Sequence, residues 1–161
     1  MNNGRHRLSH LDDQGAARMV DVGAKPVTTR GATAAGTVHT TAEVVGLIAA
    51  GGLAKGDALA TARIAGILAA KRTSDLIPLC HQIALSGVDV DFHTTSTAIE
   101  ITASARTADR TGVEMEALTA VAVTALAVYD MIKAVDPGAR IDDIRLLRKE
   151  GGKTGPWTRS P

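Results

Sequence analysis

A chain of 161 residues suits one domain, and 45% hydrophobic with 22% charged residues is typical of a soluble globular protein. The formal net charge of +1 gives no global field favouring nucleic acid, so an anion would have to be bound by a local cluster of cations. One cysteine, no apolar N-terminal leader and no uncharged apolar run of about 20 residues predict a reduced, cytoplasmic protein outside the membrane.

The N-terminal third begins with a polar stretch, so residues 1–12 are predicted to be flexible. Residues 18–22 suit a short strand, and the Thr-, Ala- and Gly-rich residues 25–40 suit a connecting loop or an edge strand. Thr40 and Glu43 have the capping-box spacing, which predicts a helix that ends at the Gly51-Gly52 pair.

A second helix is predicted after Lys55, with Asp57 as its N-cap and Pro78 beyond its end. Helical spacing predicts that one apolar face packs into the core. The residues of that face are Ala60, Ile64, Ile67 and Leu68.

In the second half of the chain the spacing of apolar residues changes from a helical pattern to alternation. Residues 88–93 and 99–102 alternate apolar and polar side chains around a Thr/Ser turn, which predicts a β-hairpin with one buried face. Thr111 and Glu114 have capping-box spacing before a long helix that is apolar on almost every side. A final strand over residues 141–149 follows, and residues 157–161 are predicted to be flexible.

The order of these elements is strand, helix, helix, hairpin, helix, strand. It predicts a single α+β domain over residues 1–161, with helices packed on one face of a mainly antiparallel sheet. A ferredoxin-like arrangement is the natural expectation.

The stretch RKEGGKTG, residues 148–155, contains Gly-Lys-Thr but is not a P-loop. A P-loop that ended at Gly152-Lys153-Thr154 would need glycine at position 147, which is Leu147, and a helix after it, which "GPWTRSP" does not permit. A glycine-rich turn with Lys149 and Lys153 could still hold an anion. From this stretch alone, a solvated basic tail is the favoured interpretation.

Several polar residues are candidates for chemistry, each with a structural alternative. Asp130 and Lys133 project from one side of the long helix, where an aspartate opposes the helix dipole; they are either functional or a surface ion pair. His81 is either a proton-transfer group or a polar loop residue. Lys55 precedes a helix N-terminus, where anions bind, or is an ordinary surface lysine.

The carboxylates at the start of the long helix and the lone cysteine complete the candidates. Glu114 and Glu116 face opposite ways on a helix, so one is expected to cap it while the other reaches a ligand. Cys80 has no second cysteine with which to build a zinc site and is interpreted as a small apolar side chain.

Taken together, these segments resemble a known family. The runs ATARIAGI, LIPLCH, GVEMEALTA and YDMIK occur in this order, and the similarity spans about residues 8–155. The sequence resembles the molybdenum cofactor biosynthesis protein C (MoaC) family, the cyclic pyranopterin monophosphate synthases. The resemblance implies a ferredoxin-like subunit, a hexamer built as a trimer of dimers, and a site at a subunit interface. It implies no metal or redox cofactor.

The implied reaction converts 3′,8-cyclo-7,8-dihydroguanosine 5′-triphosphate to cyclic pyranopterin monophosphate and pyrophosphate. Catalytic residues implied by the resemblance are Asp130, Lys133, Lys55 and His81. Substrate-binding residues implied by it are Leu79, Cys80, His81, Met115, Glu116, Glu114, Lys149, Lys153 and Arg30.

Two positions depart from the family pattern. Gln82 follows Cys80-His81 where the family usually has proline, and Glu150 stands where small residues are common. The departures keep open a second hypothesis, a paralogue that retains the fold without turnover. RNA binding is a third hypothesis, and the scarcity of aromatic residues for base stacking argues against it.

Overall fold

The computed structural model describes residues 11, 14–153 and 155–160. The elements in this part of the chain are β1 (Thr28–His39), α1 (Ala42–Ala49), α2 (Ala58–Ala70), α3 (Thr73–Leu76), β2 (Leu85–Thr94), β3 (Ala98–Asp109), α4 (Glu114–Ile132), β4 (Arg140–Glu150) and β5 (Trp157–Thr158).

The strands form one sheet in the order β2-β3-β1-β4-β5, and each neighbouring pair is antiparallel. The α+β prediction is therefore confirmed. The β-α-β-β-α-β succession of the main elements is consistent with a ferredoxin-like arrangement. The predicted hairpin is β2 and β3, and the predicted final strand is β4.

The core lies between the sheet and two helices. Helix α4 packs on β1, β3 and β4, while α2 packs on α4 and β2. Ile99 and Ile101 of β3 and Val128 and Ile132 of α4 are fully buried. Helix α4 has the length and composition of a membrane span, but more than half of it is buried inside the protein, as in the core helix of a folded domain.

The prediction of a loop or an edge strand over residues 25–40 was wrong. Strand β1 lies in the interior of the sheet, between β3 and β4. Its small residues allow α4 to approach closely. A Cβ at Gly36 would lie 2.8 Å from Val121 Cγ1. The many small residues of β1, which made this segment look like a loop in the sequence, are there because a helix packs tightly on the sheet.

Both predicted capping boxes were wrong in detail. Thr41, rather than Thr40, caps α1 through Val44 N–H at 3.3 Å, while the Thr40 hydroxyl donates to Asp136 at 2.7 Å. Helix α4 begins at Glu114 after Val113, and in the described chain no side chain caps it. Asp57 does cap α2, through Ala60 N–H at 2.9 Å.

The predicted apolar face of α2 was correct only in part, because Ile67 packs against the core but two other residues of that face do not. Ile64 and Leu68 are 60% and 52% exposed, whereas Ala62 and Gly66 are buried. A Cβ at Gly66 would collide with Thr124 Oγ1, so α2 and α4 pack through small residues. The side chains of Ile64 and Leu68 consequently remain on the outer surface of the subunit.

The predicted strand at residues 18–22 is absent, since these described residues belong to no strand. At the other end, Trp157 and Thr158 pair with Lys149 and Arg148, so part of the stretch predicted to be flexible is a short strand. The predicted flexible start falls mostly on residues 1–10 and 12, which lie outside the described residues.

Candidate active site

One candidate group lies at the C-terminal end of α4. Asp130 Oδ1 is 2.7 Å from Lys133 Nζ, and Asp130 Oδ2 is 2.9 Å from Lys55 Nζ. Lys55 Nζ also donates to the main-chain oxygen of Asp130 at 2.7 Å. We call these three residues the acid–lysine cluster. Two cations at this helix end offset the unfavourable position of the aspartate relative to the helix dipole.

The protonation states in the acid–lysine cluster follow from its hydrogen bonds. The side-chain bond from Lys133, followed by that from Lys55, lowers the pKa of Asp130 to about 2. The bond to Asp130 raises the pKa of Lys133. At neutral pH the cluster therefore presents an ionised carboxylate as acceptor and a protonated lysine as donor, on side chains that are about half exposed.

A second group lies around a cavity of about 430 Å³ at the other end of α4. The stretch after α3 and the first turn of α4 meet there, and the N-terminal loop before β1 lies over them. We call it the histidine cavity. Its lining residues are Val20, Val22, Lys25, Leu79, Cys80, His81, Thr111, Gly112, Glu114, Met115 and Glu116.

His81 joins this cavity to the N-terminal loop. Its Nε2 lies 2.6 Å from the Val20 carbonyl oxygen. Because a carbonyl only accepts, Nε2 carries the hydrogen, and Nδ1 is the acceptor of the neutral ring. Burial and the charge of Glu116 raise the pKa of the Cys80 thiol, so it is a thiol rather than a thiolate at neutral pH.

Glu116 is the buried acid of the histidine cavity. Its side chain is 4% exposed, and burial raises its pKa from 4.5 to about 7, with a smaller contribution from the charge of Glu114. A carboxyl group whose pKa lies near neutrality can both donate and accept a proton under physiological conditions. The expectation that one glutamate caps α4 while only the other reaches a ligand was wrong, because Glu114 and Glu116 both line the histidine cavity and no described side chain caps the helix.

A third group surrounds a cavity of about 490 Å³ that shares Lys25, Gly112 and Glu114 with the histidine cavity. We call it the lysine cavity. Lys149 Nζ pairs with Glu114 Oε1 at 3.1 Å along its wall. Its other lining residues are Arg30, Gly31, Val113, Glu150, Gly151 and Lys153.

The glycine-rich stretch forms a turn that closes the lysine cavity. Gly151 and Gly152 have φ values of 84° and 79°, which favour glycine. A Cβ at Gly152 would also collide with the guanidinium of Arg30. The glycines therefore allow Lys149, Lys153 and Arg30 to line one concave surface.

The two departures from the family pattern occupy different places. Glu150 lines the lysine cavity, and its carboxylate lies over Gly31, where a Cβ would be 2.7 Å from Glu150 Oε1. Gln82 is exposed beside His81. Glu150 therefore adds a second carboxylate, besides Glu114, to a surface that is also lined by Lys25, Arg30, Lys149 and Lys153.

Sequence reasoning missed Lys25. This exposed lysine lines the histidine cavity, the lysine cavity and a further pocket with Arg30 and Lys153. It lies in an irregular loop and belongs to no motif with a chemical meaning. Only the fold brings it beside Arg30 of β1 and Lys153 after β4.

Comparison with known proteins identifies the family. Residues 19–152 match the model of the MoaC family. The chain belongs to the MoaC family.

Curated relatives of this MoaC-family chain share one activity in their names. "Cyclic pyranopterin monophosphate synthase 2" of Mycobacterium tuberculosis (strain ATCC 25618 / H37Rv) is 70% identical, over 94% of this chain and 91% of the relative. Cyclic pyranopterin monophosphate synthase of Streptomyces coelicolor is 62% identical, over 96% and 91%. The synthase of Nocardioides sp. is 56% identical, over 99% of both chains.

The expected site residues of this MoaC-family chain fall into two places. Asp130 and Glu116 are fourteen positions apart on α4, which corresponds to about 21 Å along the helix. The acid–lysine cluster therefore lies at one end of the subunit. The histidine and lysine cavities lie at the other end and contain the remaining expected residues. One subunit does not bring the two groups into contact with a single small molecule.

Proposed function

We propose that this chain is a cyclic pyranopterin monophosphate synthase of molybdenum cofactor biosynthesis. The reaction converts 3′,8-cyclo-7,8-dihydroguanosine 5′-triphosphate to cyclic pyranopterin monophosphate and releases pyrophosphate. The observation that supports this function best is the junction of the two cavities, because it joins a wall of cations to a wall of proton-transfer groups. The shared name of relatives at 56–70% identity supports the same activity.

The lysine cavity is proposed to bind the triphosphate. Basic side chains line this cavity, some of them also line the adjoining pocket, and all carry positive charge at neutral pH. They are Lys25, Arg30, Lys149 and Lys153. Negative charge grows on pyrophosphate as it leaves, so fixed cations lower the barrier electrostatically. Lys149 pairs with Glu114, and a phosphate group would compete with that carboxylate for the lysine.

The histidine cavity is proposed to bind the guanine-derived base, which must be opened and rearranged by proton transfers. His81 Nδ1 can accept a proton, and Glu116 can donate or accept one near pH 7. Leu79, Cys80 and Met115 complete the wall. Asp130, Lys133 and Lys55 are proposed to act on the same substrate as the remaining proton-transfer groups, with no metal or redox cofactor in the reaction.

The separation of the two groups supports a site shared between subunits. A distance of about 21 Å along α4 is too long for both groups of one chain to contact one reacting centre. We therefore propose that the acid–lysine cluster of one subunit faces the cavities of a neighbour, in a cytoplasmic hexamer built as a trimer of dimers. The exposed Ile64 and Leu68 of α2 and Leu126 of α4 supply apolar surface for assembly.

The test of the proposed function is a turnover assay. The purified protein is incubated with the cyclised dihydroguanosine triphosphate, and pyrophosphate and pyranopterin are measured by mass spectrometry. Product from the parent but not from Lys133→Ala supports the enzyme and its site. A correctly assembled parent without product would overturn the proposal and favour a non-catalytic paralogue.

A further inference from the structure

Arg110 lies in the turn between β3 and α4 and has contacts on both sides. Its Nε donates to the main-chain oxygen of Lys25 at 3.0 Å. Its own main-chain oxygen accepts from Arg30 Nη2 at 3.1 Å, and its N–H donates to Asp109 Oδ1 at 2.6 Å. Arg110 thus connects Lys25 and Arg30, the two cations that precede or begin β1.

Lys25 lies in an irregular segment, where no helix or strand fixes the position of its main chain. Residues 18–27 belong to no helix or strand. Two side chains that are distant in the sequence, His81 and Arg110, bond to their main chain. His81 bonds Val20 beside the histidine cavity, and Arg110 bonds Lys25 where the two cavities meet. The Lys25 N–H also donates to the Val22 carbonyl oxygen at 3.0 Å within the loop, whereas the bond from Arg110 ties this turn to the start of α4.

Arg30 is held differently, by main-chain atoms. Its Nε donates to the Asp109 carbonyl oxygen at 3.1 Å, in addition to the bond from Nη2 to Arg110. Substitution of the Arg110 side chain leaves both carbonyl acceptors in place. Loss of the guanidinium should therefore release Lys25 while Arg30 stays fixed.

We propose that Arg110 is a positioning residue, which holds Lys25 against the phosphate-bearing end of the substrate by binding the Lys25 main chain. This inference rests on the proposed function and deepens it. In the described chain Arg110 lines neither the histidine cavity nor the lysine cavity, so its effect passes through Lys25. Charge-assisted hydrogen bonds of this kind contribute enough to change an affinity about tenfold.

The experiment is a double-mutant cycle with two readouts, the KM and kcat of turnover and the Kd of inorganic pyrophosphate. Arg110→Ala should raise KM and Kd about tenfold, with kcat changed less than about twofold. Arg110→Lys should recover most of this loss because its ammonium group can donate to the same carbonyl. The double variant Arg110→Ala, Lys25→Ala should bind no more weakly than Lys25→Ala alone.

The matched control is Arg106→Ala, which removes an exposed arginine of β3 whose guanidinium pairs with Asp89 at 2.7 Å. It should leave KM and Kd unchanged. Losses that multiply in the double variant, or an equal loss in Arg106→Ala, would overturn the positioning role. A parent without turnover would overturn the proposed function instead, and the pyrophosphate cycle would then decide the role of Arg110 by itself.

Discussion

Asp130 and Lys133 form a hydrogen-bonded ion pair of 2.7 Å at the exposed C-terminal end of the central helix α4. The same carboxylate binds Lys55 through its second oxygen at 2.9 Å. Because each lysine bonds a different oxygen of one carboxylate, the three side chains hold one another in position. Such an arrangement on an exposed surface is better explained by a function than by stability, since exposed ion pairs contribute little to folding.

Asp130→Asn should reduce turnover by about 100-fold or more while Tm changes little. The amide cannot accept a proton at neutral pH and loses the charge that holds both lysines. Steady-state kinetics and a thermal melt measure the two effects. Asp89→Asn, which breaks the exposed pair with Arg106, is the matched control and should retain turnover. A fully active Asp130→Asn variant would exclude a catalytic role for this residue.

Glu116 should make the protein less stable as pH rises. Its pKa is raised from 4.5 to about 7 in the folded state, so folded protein holds a proton that unfolded chain has released. Its favourable contribution is complete below pH 4.5 and is lost as pH rises through about 7. Glu116→Gln should therefore become more stable relative to the parent between these limits, by on the order of 2 kcal/mol once solvent screening is included.

Urea unfolding of both proteins at several pH values between pH 4 and pH 8 measures this difference. The comparison removes the contributions of other titrating groups, which the two proteins share. Equal stability differences at both ends of the range would show that Glu116 ionises like an ordinary exposed glutamate.

Lys149→Met should raise the KM for the triphosphate substrate about tenfold and make KM less dependent on salt. The substitution removes one cation from the lysine cavity and keeps most of the side-chain volume. KM is measured at low and moderate ionic strength. Lys71→Met, at the exposed C-cap of α2, is the control. The interpretation of the cavity as a phosphate site is wrong if both variants behave alike.

Gly66→Ala should destabilise the fold by about 1–3 kcal/mol, because overpacking between α2 and α4 forces the helices apart. The added Cβ would collide with Thr124 Oγ1 and lie 3.0 Å from the Ala120 carbonyl oxygen. Gly46→Ala in α1 is the control, since no described atom outside its own helix lies within 4 Å of the new Cβ. It should be neutral or slightly stabilising. Urea unfolding of the parent and the two variants measures the change in the free energy of unfolding that each substitution causes.

The sequence predicted those helices and strands in which the spacing of apolar residues follows from one buried face, or in which a neighbouring side chain caps the end. The β2–β3 hairpin and the Asp57 cap of α2 are examples, because alternation and a cap depend on neighbours in the chain. The apolar face of α2 was predicted only in part, because Ile64 and Leu68 were expected inside together with Ile67. Ala62 and Gly66 are buried instead, since α4 approaches too closely for Ile64 and Leu68 to fit.

Most candidate site residues were predicted through the family resemblance. Which of them lie close together in the folded chain could be seen only in the structure. Asp130 and Lys133 are visible as neighbours on a helix, but Lys55 joins them only through the fold. The position of Lys25 at the junction of two cavities leaves no pattern in the sequence. The separation of the acid–lysine cluster from Glu116 follows from the length of α4 once both are placed on it.

The most direct test of a shared catalytic site is complementation between two inactive variants. Asp130→Asn lacks the acid–lysine function, and His81→Ala lacks the histidine at the other end. Differently tagged copies are unfolded, mixed in equal amounts and reassembled, and mixed oligomers are purified through both tags. Their turnover of the cyclised dihydroguanosine triphosphate is then measured. The account predicts recovery to about a quarter of parent activity, since random assembly pairs two intact halves at one site in four. Mixed oligomers that remain as inactive as either variant alone would contradict it.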